Sequence, residues 1–188
     1  MAVIQADDQL AIIQAVLPRQ TVLSRKKAGS ITEEQVIAAN IQIVFVVMGL
    51  DQNFNLRRLE RYLTAIGRMQ ARPVIVLNKK DVCSDVESKL AQVRSIASGI
   101  EVISLSALDT HQAQTLLEKI RPCETAVLIG SSGVGKSTLI NALLGKQVQT
   151  VQSVRKGDEQ GKHTTSNKLL FQLEGQRCLI DTPGMREL

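Results

Sequence analysis

The chain is poor in aromatic residues, with no tryptophan, one tyrosine and three phenylalanines among 188 residues. Reading single-stranded nucleic acid by stacking bases on aromatic platforms is therefore disfavoured, whereas contact with a phosphate backbone through Lys and Arg stays open. Three cysteines, Cys83, Cys123 and Cys178, lie far apart and form neither a Cys-x-x-Cys pair nor a Cys/His ligand cluster, so they read as isolated reduced thiols. No long apolar run occurs. The longest, from Ile41 towards Leu50, is interrupted by Gln42 and falls well short of the roughly 20 residues that a membrane span needs. The opening "MAVIQADDQLA" lacks a basic region followed by an apolar one, so no secretory signal is expected. These absences set the expectation of a monomeric, cytoplasmic protein with no membrane partner.

A hydrophobic content of 44% is enough for one substantial core. From Ile41 onwards, short apolar runs, "IVFVVM" (43–48), "PVIVL" (73–77), "EVISLS" (101–106) and "TAVLIG" (125–130), alternate with helical patterns. In "NLRRLERYLTAIGRM", Leu56, Leu59, Leu63 and Ile66 recur at helical spacing; further helices are expected at 86–96 and 112–119. The alternation predicts the α/β class with a mainly parallel sheet. Near the end, "KLLFQLEGQRCLIDTPG" reads as two strands joined at Glu174-Gly175, an antiparallel edge. The first residues, to about Gly29, read as short strands running into a basic linker that contains Arg25, Lys26 and Lys27. The balance of 23 Lys and Arg against 18 Asp and Glu gives +5 and suits a polyanionic partner.

"GSSGVGKS", Gly130 to Ser137, satisfies the Gly-x4-Gly-Lys-Ser/Thr pattern directly after an apolar strand and opening a helix. Backbone N–H groups of Ser131, Ser132, Gly133, Val134 and Gly135 can turn onto phosphate oxygens. Helix positions Lys136, Ser137 and Thr138 add the positive end of the helix. Lys136 is expected to reach the terminal phosphates and to lie outside the core, and the Ser137 hydroxyl to ligate Mg²⁺. In "DTPG", which alone is also a good turn sequence, Asp181 can hold an Mg²⁺-bound water and Gly184 can bring its N–H to a γ-phosphate. "NKKD", Asn78 to Asp81, alone could be a polar turn with a helix cap. With "SAL", Ser106 to Leu108, it reads as a guanine site. Asp81 accepts from N1–H and the 2-amino group, Asn78 ties this loop to the phosphate loop, Lys79 lies along the base plane, and the Ala107 N–H reaches the base oxygen.

In the usual order the phosphate loop comes first and the base-reading loop near the end. Here NKKD and SAL precede it, a circular permutation that leaves every loop at one sheet edge. That order resembles the circularly permuted GTPases. With "VLPRQTVLSRKKAG", "FNLRRLERYL", "GKHTT" and "DTPGMREL", it resembles the ribosome small-subunit-dependent GTPases of RsgA/YjeQ type. The resemblance implies a permuted P-loop GTPase domain over 30–188. Residues 1–29 would supply the closing strands of an OB-like domain and the basic linker. The family's zinc domain is not expected, because no Cys/His cluster follows DTPG.

The resemblance further implies GTP and GDP as ligands with Mg²⁺, and hydrolysis stimulated by the small (30S) ribosomal subunit during its maturation, with rRNA as a partner. Met185 follows Gly184 where many GTPases lead to a water-positioning Gln. His163, in the "GKHTT" loop, can orient water or accept a proton, and its alternative is an exposed loop histidine. One of Thr164 and Thr165 should bind Mg²⁺, with Thr165 preferred. Gly133 stands where potassium-dependent relatives carry Asn. Two other readings remain: a nucleotide-dependent RNA- or ribosome-binding module with negligible turnover, and an ATP-using P-loop enzyme, which NKKD disfavours.

Overall fold

Parallel strands covered on both faces must be apolar on both faces, and the continuous runs of this chain meet that demand. A computed structural model describes residues 2–6, 11–26, 34–145 and 169–182, with side chains over 12–24, 36–145 and 169–182. Its elements in chain order are β1 (Ala2–Ala6), β2 (Ala11–Val16), β3 (Val22–Lys26), β4 (Glu34–Ala39), β5 (Ile43–Gly49), α1 (Leu56–Ile66), β6 (Arg72–Asn78), α2 (Val86–Ile96), β7 (Glu101–Ser104), α3 (Thr110–Gln114), β8 (Thr125–Ile129), α4 (Lys136–Leu144), β9 (Leu169–Leu173) and β10 (Arg177–Asp181). Among the described residues, no helix is long and apolar enough to cross a membrane.

The central sheet has the order β7-β6-β5-β8-β10-β9, parallel except for the β9–β10 hairpin at one edge. Successive residues of β5 divide between two cores. Val44, Val46 and Met48 join Leu59, Tyr62 and Ile66 of α1 and Leu90 and Val93 of α2. Ile43, Phe45 and Val47 join Ala113, Leu116, Leu139 and Ile140 on the opposite face. From β5 the chain builds outward through β6 to β7, then crosses to β8 on the other side. Between β5 and β8 the strand order therefore reverses, which is where an open α/β sheet binds its ligands, at the carboxyl ends of the strands.

The helix starts are written locally. Asn55 caps α1 by accepting the Arg58 N–H, Asp85 caps α2 through Ser88, and Asp109 caps α3 through His111 and Gln112. The third helix begins earlier than its apolar spacing implies because Asp109 nucleates it. It then tightens into a 3₁₀ turn over Thr115–Lys119, where Thr115 Oγ1 bonds the Gln112 carbonyl at 2.7 Å.

The N-terminal strands form two ribbons, β1 with β2 and β3 with β4. Arg25 and Lys26, expected in a linker, close β3 opposite Gln35 and Glu34, so a division at residue 30 falls inside this hairpin. The second ribbon is part of the main core. Leu23, Ile37 and Ala38 are buried with Val44 and Val127, and Thr21 Oγ1 both donates to the Ile41 carbonyl at 2.8 Å and accepts from its N–H at 2.6 Å.

Candidate guanine nucleotide site

Three loops leave the carboxyl edge together, and one side chain fastens them. Asn78, the last residue of β6, is buried; its Nδ2 donates to the Val134 carbonyl of the phosphate loop at 2.8 Å, and its Oδ1 accepts the Ala107 N–H at 2.8 Å. The expected tie between NKKD and the phosphate loop is present, and SAL is included in it. One expected contact is different. The Ala107 N–H points to Asn78 rather than to an open base site, because the buried carboxamide oxygen needs a donor and this N–H lies within reach.

Asp81 Oδ1 accepts from Ser106 Oγ at 2.5 Å, so the SAL hydroxyl orients the NKKD carboxylate. Asn78, Lys79, Asp81, Val82, Ser106, Ala107, Leu108, Gly135 and Thr138 line a cleft of about 180 Å³. Gly135 reaches this cleft with φ +98, and a Cβ on it would collide with Asn78 Nδ2, so the motif's second glycine is demanded by Asn78 itself. Lys79 lines the cleft in a left-handed conformation, φ 67, and its Nζ is held by Asp51 Oδ2 at 2.6 Å.

The phosphate loop turns between β8 and α4, with Gly130 packed so close to the Val47 carbonyl that no side chain fits. Helices α1, α2 and α3 begin with an Asn or Asp cap, but α4 begins at Gly135 with no side-chain cap among the described residues. Its first N–H groups, at Lys136, Ser137 and Thr138, therefore face outward for an anion. Ser132 and Gly133 are exposed at the loop's tip, while Ser131 and Val134 are buried.

Lys136 departs from expectation: it is buried, with only 8% of its surface exposed, and Nζ donates to the carbonyls of Gly130 and Ser131 at 2.9 and 3.0 Å. Burial lowers its pKa to about 8 against the opposing pull of Asp181. Asp181, buried at the end of β10, is pushed above the usual carboxylate value by the same desolvation, opposed by Lys136. The negative charge of a polyphosphate would oppose the lowering at Lys136 by favouring the ammonium.

Asp181 and Ser137 offer a carboxylate and a hydroxyl beside Lys136, the hard oxygen donors that Mg²⁺ accepts when phosphates and water complete its shell. Among the described residues no cluster of three His, Cys, Asp or Glu side chains could hold a metal alone. His163, Thr164, Thr165, Gly184, Met185 and Lys27 lie outside the described residues.

The sequence reading missed Asp51, which pairs with Lys79; Arg58, whose Nη1 donates to Ser131 Oγ at 3.0 Å; and Gln112, whose Oε1 accepts the Ser106 N–H at 3.1 Å. Asp51 carried a usable signal, two residues beyond β5 at the ligand edge. The other two act across folded distance.

Asp51 gives a pH signature. Burial raises its pKa, but the Lys79 hydrogen bond, the Asn53 N–H and the Lys79 charge together bring it below 3.8. A depressed carboxylate contributes stability above its unfolded pKa and loses it as pH falls through the folded one. Asp51→Asn is therefore expected to lower the denaturant midpoint at pH 7, with the gap to the parent closing as pH falls below 3.8. A gap independent of pH would mean that the charge of Asp51 contributes nothing.

Comparison with known proteins agrees with this geometry. A family model described as RsgA GTPase matches residues 16–188. Small ribosomal subunit biogenesis GTPase RsgA of Leptospira interrogans, serovar Lai, is 44% identical over 181 residues, covering 96% of this chain and 50% of that protein. The protein of the same name from Xylella fastidiosa is 46% identical over 177 residues, covering 94% and 52%. The chain thus spans about half the length of the curated relatives it matches. In fold it is similar to the crystal structure of YjeQ from Thermotoga maritima, with a TM-score of 0.65 at 24% identity over 93% of this chain and 55% of that one. It is also similar to YloQ, a circularly permuted GTPase, with a TM-score of 0.64 at 19% identity over 100% and 56%. With nearly all of its length matched, a permuted α/β fold and NKKD, SAL and GSSGVGKS gathered at one edge, the chain belongs to the RsgA GTPase family.

Proposed function

We propose that this chain is the nucleotide-binding core of a GTP hydrolase that acts in maturation of the small ribosomal subunit, with GTP or GDP and Mg²⁺ in the site. The observation that carries the reading is the double bond of Asn78, which sets a base-reading carboxylate and an uncapped phosphate helix on one cleft. Asp81 accepts from guanine N1–H and the 2-amino group, leaving adenine with no donor for a charged oxygen. In the site, Lys136 turns its remaining N–H to the phosphates, which collect the N–H groups of 131–138. Ser137, Thr165 and, through water, Asp181 would hold Mg²⁺, which would neutralise charge on the phosphates. His163 orients the attacking water, and Gly184 donates to the γ-phosphate. The relatives' names place them in small ribosomal subunit biogenesis. Exposed Arg57, Arg61 and Arg68 along α1 and after it, together with Arg19, support rRNA as the polyanionic partner. Of residues 1–29, the β1–β2 ribbon is read as closing strands of an OB-like β-domain, since β3 joins the main core, and the protein is read as a cytoplasmic monomer.

Turnover measured with and without purified small subunits tests the function. Hydrolysis of GTP is expected to rise when small subunits are added; binding without turnover in either condition would leave a nucleotide-dependent binding module. In the same assay Asp81→Asn should weaken GTP by at least about 2 kcal/mol and improve binding of xanthosine triphosphate, whose 2-carbonyl accepts from the amide. Unchanged GTP affinity would remove Asp81 from the site.

His163→Ala should slow single-turnover hydrolysis on the subunit-bound protein while GTP affinity stays near that of the parent, because a group that orients water acts in the transition state. A parental rate would assign the water to another group.

A further inference from the structure

Arg58 stands outside every nucleotide motif, yet its side chain reaches the phosphate loop. It lies in the first turn of α1, where Asn55 holds its backbone N–H at 2.9 Å, and its Nη1 donates to Ser131 Oγ at 3.0 Å. Its Nε is buried with no hydrogen-bond partner among the described residues, beside a cavity of about 10 Å³ lined by Val46, Val47, Met48, Leu59 and Tyr62 with Ser131. A buried N–H left unpaired on a charged group is costly, and an apolar side chain of similar size would fill this place at lower cost. The arginine must contribute something that packing does not.

The phosphate loop shows what that contribution is. Residues 130 and 131 are tied by two bonds from Lys136 Nζ to their carbonyls. An ammonium carries three N–H donors, so these two bonds leave a third for a polyphosphate. The bond from Arg58 is a further tie, reaching Ser131 from α1 through the side chain rather than the carbonyl. We propose that Arg58 is a positioning residue of the phosphate loop: it anchors the Ser131 hydroxyl and, together with the two Lys136 bonds, holds the loop in its phosphate-ready shape. This rests on the site being a guanine nucleotide site. The loop surrounds phosphates common to GDP and GTP, so the anchor acts on both nucleotides alike and not on the base. Lysine cannot replace it, because its flexible stem loses more freedom in fixing one donor than the preorganised guanidinium does.

Equilibrium titration with fluorescent GDP and GTP tests this on the parent, Arg58→Ala, Arg58→Lys, Ser131→Ala and the double variant Arg58→Ala/Ser131→Ala. Arg58→Ala and Ser131→Ala are each expected to weaken both nucleotides by about tenfold, with unchanged preference for GTP over ATP; the double variant should lose no more than either, since both remove one contact. Arg58→Lys should not restore affinity. A role confined to packing would move the unfolding midpoint and leave nucleotide affinity in place. Arg58→Ala within twofold of the parent, or single losses that multiply in the double variant, would overturn the proposal. Where Arg58→Ala does not fold, Ser131→Ala at parental affinity overturns it equally. A parent that binds no guanine nucleotide overturns the functional reading and this inference together; a binding parent with variants at parental affinity overturns this inference alone.

Discussion

The site depends on the two hydrogen bonds of one buried carboxamide. Asn78 donates to the phosphate loop at Val134 and accepts from the SAL loop at Ala107, so the three segments that would read base and phosphate share one fixed point. Both ends of the amide are satisfied with the correct polarity, which makes the contact hard to replace: a side chain with two donors or two acceptors leaves one loop facing a like dipole. Gly135 follows from the same contact, because any side chain there would occupy the amide's place. A motif glycine that is usually credited to phosphate approach is required here first by a neighbouring loop.

Around that point the charged groups rest on partners within the chain. Lys136 donates to carbonyls, Lys79 pairs with Asp51, and Asp81 accepts from the Ser106 hydroxyl. Such partners preorganise the loops, and a ligand must compete with them. Their strengths differ in kind. Lys136 is desolvated and held by neutral carbonyls, an arrangement that a charged phosphate improves. Lys79 has a full carboxylate, 25% exposed to water, and loses less by staying where it is.

Most of the fold could be read from the sequence because the central strands are buried on both sides and their apolar runs are continuous. Bounds for α2 match their periodicity, and the Glu174-Gly175 turn joins β9 to β10 as its composition indicates. What was not legible involves contacts between distant segments. Nothing in "RKKAG" tells that Arg25 and Lys26 pair with residues beyond position 30, and the pattern of "LRRLERYL" gives Arg58 no distinction from Arg57. In the site, motif spacing located Asn78, Asp81, Lys136 and Asp181 at one edge. The partner of the Ala107 N–H and the burial of Lys136 come from competition among nearby acceptors, which spacing cannot rank.

The central claim is that one amide couples the base-reading and phosphate loops, and Asn78→Asp tests it most directly. This change keeps size and the acceptor for Ala107 but sets an oxygen against the Val134 carbonyl, so the phosphate loop alone is released. Measured by GDP titration on protein that still unfolds cooperatively, the account predicts a loss of affinity of about 100-fold or more, on the order of 3 kcal/mol. An Asn78→Asp protein that binds GDP within a few-fold of the parent would contradict it.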